Sequence, residues 1–208
     1  GWTATGKNLL VDVLNEYECY AEMLLVDAEF PFLPQIKETD NFRSHVVILG
    51  HSAMAQAIAY TVAHMSHYPN FMRTGKKTCI TFIGEGGKRW MEDLVASRPG
   101  LFELSRYTYV GPDGNQTVHA PEGSYGDFLD VEWQFIDASE NSPLAREFIT
   151  KVAQSEDEKL SICTCHEKSA DALKCALHLP RTVYEHQVKV AVYSNDEVDS
   201  IIRLARKS

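Results

Sequence analysis

The sequence feature with the clearest chemical use is a glycine turn between an apolar run and an alanine-rich stretch. His45-Val46-Val47-Ile48-Leu49 leads directly into Gly50-His51-Ser52-Ala53-Met54-Ala55. A dinucleotide-binding sheet carries GxGxxG at this place. Its first glycine makes a tight turn, the second lets the backbone approach a pyrophosphate, and the third allows the helix to pack closely on the strand. Here the three positions read Gly50, Ser52 and Ala55. Ala is an accepted third residue, whereas Ser at the second sets the phosphate slightly outward or replaces a backbone contact with a hydroxyl one. The following helix N-terminus is an anion site through its free N–H groups and its dipole. The plainer alternative is a turn in a sheet that binds nothing.

A second β-branched run, Thr78–Ile83, ends in Gly84-Glu85-Gly86-Gly87-Lys88-Arg89. An NAD site places an acid near the end of this strand to hold the ribose hydroxyls. The expected position reads Gly84, with Glu85 one residue on. Glu85 reaching the ribose favours NAD. Lys88 and Arg89 instead suit the 2′-phosphate of NADP or the phosphates of another adenine nucleotide. A glycine-rich turn with a solvated, basic helix start accounts equally for these residues. Asp137-Ala138 and Cys165-His166 follow two further apolar runs, at strand ends where open α/β sheets bind ligands. Asp137 either faces an adenine or caps the next turn.

The same places hold residue types that could serve metal or nucleophile chemistry. In Cys163-Thr164-Cys165-His166, residues two apart share one strand face and His166 points away from it. No second ligand pair stands out, so the reading is two buried thiols in a core strand and no metal site. His64 and His67, three apart at a helix end, read as capping and packing residues. No nucleophile sits on a recognisable elbow, and no acid–base pair stands beside the phosphate turn. A binding role without catalysis is therefore expected. The enzyme alternative, an NAD(P)-dependent oxidoreductase cofactor domain, would need His51, His166 or Tyr193 as its acid or base.

The elements that must position these residues alternate in type. Strands are expected at 45–49, 78–83, 131–136, 160–165 and 188–193, and helices at 53–65, 88–98, 143–154, 169–178 and 196–205. Continuous apolar runs of this kind mark strands covered on both faces, and strict alternation specifies a doubly wound parallel sheet with right-handed crossovers. Two insertions interrupt the scheme, at 66–77 and at 106–130. The second holds β-prone runs either side of Gly111-Pro112-Asp113-Gly114-Asn115, a hairpin excursion ahead of the third strand. Ahead of the sheet, residues 7–30 carry near-helical apolar spacing, and a polar linker over 35–43 puts a boundary near residue 43. The expected domains are thus a 1–43 extension and a 44–208 sheet.

Composition narrows the partners. Twenty Lys and Arg against 29 Asp and Glu give a net charge of −9, which excludes a nucleic-acid-binding footprint. No apolar run reaches the roughly 18–20 residues that span a bilayer. Five cysteines, an odd number without a CxxC pair, suit a reduced, cytoplasmic setting. Gly1 in the place of an initiator Met reads as the trimmed end of a longer chain.

Residues 45–59, His-Val-Val-Ile-Leu-Gly-His-Ser-Ala-Met-Ala-Gln-Ala-Ile-Ala, resemble the opening of a TrkA-N domain, the NAD-binding Rossmann module of potassium-transport and potassium-conductance regulators. Asp-Val-Glu-Trp-Gln-Phe-Ile-Asp-Ala-Ser (130–139) is similar to that family's third strand. Leu-Ser-Ile-Cys-Thr-Cys-His-Glu (160–167) with Ala-Asp-Ala-Leu-Lys-Cys-Ala-Leu (170–177) is similar to its fourth strand and helix. The likeness covers about 45–208, and its motifs are loose but correctly ordered. His67-Tyr68-Pro69-Asn70 and Phe30-Pro31-Phe32-Leu33-Pro34 resemble bacterial membrane-anchored proteins that join such a module to a ryanodine-receptor-type repeat.

The resemblance implies a pyrophosphate on Gly50, Ser52, Ala53, Met54 and Ala55, a ribose near Gly84 and Glu85, and an adenine near Asp137 and Ala138. It further implies a homodimeric, NAD(H)-binding regulatory module coupled to a potassium or other cation channel or transporter. Ser52 and Gly84 depart from the family pattern, which leaves a degenerate dimerisation sheet without ligand as a third reading.

Overall fold

The computed structural model describes Ala21, Leu25 and residues 31–121, 129–193 and 201–204. The fold is α/β, built on one mostly parallel sheet. Strands β1 (Arg43–Leu49), β2 (Thr78–Ile83), β3 (Arg106–Val110), β4 (Gln116–His119), β5 (Val131–Ile136), β6 (Glu158–Thr164), β7 (Lys189–Tyr193) and β8 (Ile201–Leu204) lie in the order β4-β3-β5-β2-β1-β6-β7-β8. The five strands expected from the apolar runs are β1, β2, β5, β6 and β7, and every pairing among them is parallel. β1 therefore sits at the centre, with its sequence successor β2 on one side and β6 on the other. That reversal opens a crevice at the strand carboxyl ends.

The helices are α1 (Ala53–Met65), α2 (Phe71–Thr74), α3 (Gly87–Ser97), α4 (Pro99–Glu103), α5 (Pro143–Gln154), α6 (Ser169–Leu177) and α7 (Arg181–Glu185). Alternate residues of the continuous apolar strands feed two separate cores. Val46, Ile48, Ile80, Phe82, Trp133 and Phe135 pack with Met54, Ile58 and Val62 of α1, Met91 and Leu94 of α3 and Phe102 of α4. On the opposite face Val47, Leu49, Ile83, Ile162 and Val190 pack with Ile149 and Val152 of α5, Ala172 and Cys175 of α6 and Val183 of α7. Period-two alternation in strands, with a helix stripe over each face, produces this double layer.

The excursion over 106–130 holds the expected hairpin. β3 and β4 pair antiparallel around Gly114 at φ +84°, and β3 pairs parallel with β5, so the hairpin extends the sheet at one edge. Pro99 begins the short α4 directly after α3, because its missing N–H is no loss at a first helical position. The insertion over 66–77 contains α2, ended by Gly75 at φ +66°.

The helix expected over 196–205 is corrected. Its described part, Ile201–Leu204, is β8, antiparallel to β7. Ile-Ile-Arg-Leu satisfies either period over so short a run, and the open edge of β7 supplies the ladder that decides it. The segment leading into β1 is fastened to the sheet layer: Phe32 is fully buried, and its carbonyl accepts from Ser161 Oγ at 2.6 Å. Asn70 Nδ2 donates to the carbonyls of Asp40 and Phe42, both at 3.0 Å. Most of the 7–30 run lies outside the described residues; Ala21 is helical and buried, and Leu25 packs on the first core.

Candidate functional site

The carboxyl ends of β1, β2, β5 and β6 open on a cleft of about 670 Å³. Its walls come from Gly50 and His51 after β1, Gly84 and Glu85 after β2, Ser139–Asn141 after β5, His166 after β6, and Asp171, Lys174, Cys175 and His178 on and after α6. The cleft stands at the switch point beside β1, where an open α/β sheet places its ligand.

Gly50 is required here twice over. Its φ is +93°, and a Cβ at this position would lie 2.8 Å from the backbone nitrogen of His166. The turn after β1 and the turn after β6 are thus in backbone contact. Ser52, at the second glycine position, is buried and faces inward. Its hydroxyl caps α1 by accepting from Ala55 N–H at 3.1 Å and donates to the Cys165 carbonyl. This removes one first-turn N–H from ligand binding; of the other two that α1 itself cannot satisfy, Met54 is fully buried and Ala53 is exposed, and none of Ser52, Ala53, Met54 and Ala55 lines the cleft.

His51 explains Gly84. Its ring stacks on Trp90 of α3, with centroids 4.8 Å apart and planes 7° apart, and its Nε2 would lie 2.9 Å from a Cβ at position 84. An acid at position 84 would collide with that ring. Glu85, one residue on, is exposed at the cleft rim. His51 Nε2 is buried without a protein partner. Burial pushes its pKa down, against the pull of Asp137, so the ring is neutral near neutrality.

Asp137 does not line the cleft. Of its two readings the geometry matches a cap, and the turn it caps is the start of α3. Its carboxylate accepts from Lys88 N–H at 3.3 Å and Tyr109 OH at 2.8 Å. Burial opposes its charge, but Tyr109 and the N–H groups of Gly86, Gly87 and Lys88 hold its pKa below the ordinary carboxylate value. Gly87 lets this carboxylate in, since a Cβ there would lie 3.0 Å from Asp137 Cα. The N-terminus of α3 thus already has its anion. Lys88 and Arg89 are exposed outside the cleft, Lys88 beside Tyr107 and Tyr109. Ala138 and Cys165 are buried and do not line it.

Cys163 and Cys165 share a strand face as expected, with sulfurs 3.2 Å apart and neither in a disulfide. His166 turns the other way and meets residues that sequence reasoning did not assemble. Its Nε2 lies 2.6 Å from Glu140 Oε2, and the Cys175 sulfur lies within 4.8 Å of both side chains. No spacing motif links positions 140, 166 and 175. They converge only because the loop after β5, the end of β6 and the buried side of α6 meet at one corner of the cleft. No protein-family model, curated protein or solved structure matches the chain.

Proposed function

We propose that the chain is a Rossmann-type regulatory module that takes an NAD(H)-type adenine dinucleotide in the cleft beside β1. The observation that carries this reading is the position of the cleft. It lies at the carboxyl ends of the central strands, at the point of reversal, with the positive-φ Gly50 in its wall and a 13-residue helix starting three residues further on. A cleft of about 670 Å³ is in the range of cofactor pockets, roughly 300–1,000 Å³.

The fit is closest at the ribose end, where Glu85 lines the cleft, and is altered elsewhere. At the start of α1 only Ala53 is exposed to offer a backbone N–H to a phosphate, since Met54 is fully buried. Asp137 is committed to α3, so the adenine would lie against the loop at Ser139–Asn141. His51 and His166 supply the buried, unpartnered ring nitrogens of the cleft. A bound dinucleotide would bias the turns after β1 and β6 together, because Gly50 and His166 touch. Coupling to a potassium or other cation channel or transporter, through a homodimer, follows from the TrkA-N resemblance.

Calorimetric titration with NAD⁺, NADH, NADP⁺, ATP and ADP tests this reading. Binding of a dinucleotide at micromolar concentration, lost on Gly50→Ala, is the expected result. Indifference to all five at millimolar levels overturns it.

A further inference from the structure

We propose that Glu140, His166 and Cys175 form a binding site for a zinc-class divalent cation whose fourth coordination position opens on the cleft. One ligand atom from each residue lies within 4.8 Å of the others, and the imidazole and carboxylate are already in contact at 2.6 Å. A tetrahedral zinc ion would hold N and O about 3.4 Å apart and S about 3.6 Å from each. The needed adjustments are side-chain rotations, since all three residues project from fixed backbone: the end of β6, the buried side of α6 and the anchored loop before α5.

The chemistry of the set selects the ion. One thiolate, one imidazole and one carboxylate suit a borderline-soft cation; Mg²⁺ and Ca²⁺ prefer oxygen alone. In the metal-free protein the cluster is held together by protons. The His166 Nε2–H donates to the Glu140 carboxylate at 2.6 Å, the Cys175 sulfur lies within 4.8 Å of both, and burial together with that carboxylate pushes the thiol pKa up. A cation replaces this arrangement directly. The thiol proton leaves to solvent, the ring proton moves to Nδ1, and all three freed lone pairs turn onto the ion. The surroundings favour the exchange, for Glu85, Glu140 and Asp171 line the cleft against Lys174 as its one Lys or Arg among the described residues.

Two features set the strength. There are three protein ligands rather than four, and His166 Nδ1 has no acceptor among the described residues. A missing outer partner costs about 10–100-fold in metal affinity. Binding is therefore weaker than at a four-ligand structural site, and the vacant position is free for an anionic group of a molecule in the cleft. The site stands on its own geometry and does not require the dinucleotide.

The test uses the 208-residue chain, stripped with chelator and free of nucleotide. Zn²⁺ alone is titrated by calorimetry and Co²⁺ alone by absorption. One equivalent of zinc should bind, and cobalt should give a thiolate-to-metal charge-transfer band. Cys175→Ser should abolish the band, and Glu140→Gln should keep it while weakening zinc by at least about tenfold. Glu103→Gln, exposed on α4 and outside the cleft, should change neither. Millimolar Mg²⁺ or Ca²⁺ should not compete. Circular dichroism establishes that each variant is folded; if Cys175→Ser is not, Glu140→Gln decides. Absence of zinc binding, or binding unaffected by Glu140→Gln and Cys175→Ser, overturns the site.

Discussion

Ser52 Oγ donates to the Cys165 carbonyl while accepting from Ala55 N–H, so one hydroxyl ties the start of α1 to the end of β6. The second position after Gly50 in this turn is thereby a structural strut. Ser52→Ala removes a helix cap, about 1 kcal/mol, and takes a donor from a buried carbonyl, about 1–3 kcal/mol. A loss of roughly 2 kcal/mol in urea unfolding is expected. A loss under about 0.5 kcal/mol, the level of a surface substitution, would show that the strut contributes nothing.

Gly50→Ala places a Cβ 2.8 Å from His166 N on a backbone held at φ +93°. Left-handed backbone alone costs an L-residue about 1–2 kcal/mol, and the clash with backbone cannot be relieved by a rotamer change. The variant should melt well below the parent chain and bind zinc more weakly through the displaced His166. An unchanged melting temperature would refute the close approach.

At the other end of the sheet, His45 Nδ1 and the Arg43 guanidinium both contact Glu158, and His45 Nε2 meets Thr81 Oγ1 at 2.7 Å. Burial lowers the His45 pKa, but the Cys79 sulfur and the Glu158 carboxylate override it and raise the value to about 9. Burial raises that of Glu158, yet the hydrogen bond and charge of His45, then Arg43, bring it to about 2.

The two groups act in opposite directions. His45, with a raised value, stabilises fully below its ordinary 6.5 and loses that contribution as pH climbs through 9. Glu158, with a depressed value, stabilises above its ordinary 4.5 and loses that contribution as pH falls through 2. Stability should be greatest between these ordinary values, with an alkaline decline of a few kcal/mol. Urea midpoints across pH should show this decline and its flattening in His45→Gln. An equal decline in that variant would assign it to other groups.

Tyr109 reports on the α3 cap. Burial and then the Asp137 hydrogen bond and charge raise its pKa to about 12. Asp137→Asn should return the phenol toward its ordinary 10, seen as earlier phenolate absorbance in an alkaline titration. A titration that does not move would place the cause outside Asp137.

The core strands and the glycine turn after β1 are legible because each is a local pattern. β1 and β2 are buried at nearly every position, so their sequences read as unbroken apolar runs. The β3–β4 hairpin was legible from its turn residues. What stayed hidden depends on partners far along the chain. Position 52 reads as a weakened glycine until Cys165 O is seen above it, and Asp137 reads equally as a ligand contact or a cap until the N-terminus of α3 is seen beside it. Residues 201–204 fit both periods, and only the edge of β7 separates them. Glu140 and Cys175 had no sequence signal at all, because nothing in a one-dimensional pattern brings a β5 loop onto the inner face of α6.

The central place of β1 also bears on how the chain is assembled. One edge of β1 finds β2 within 40 residues, but its other edge must wait for β6, whose Glu158 pairs opposite Arg43. Until residues 158–164 have left the ribosome, the central strand of the sheet presents an open ladder. Long-range pairing of this kind slows folding, and exposed edges of this kind self-associate. Nascent chains halted before β6 should therefore need chaperone protection, whereas those halted after it should close the sheet unaided.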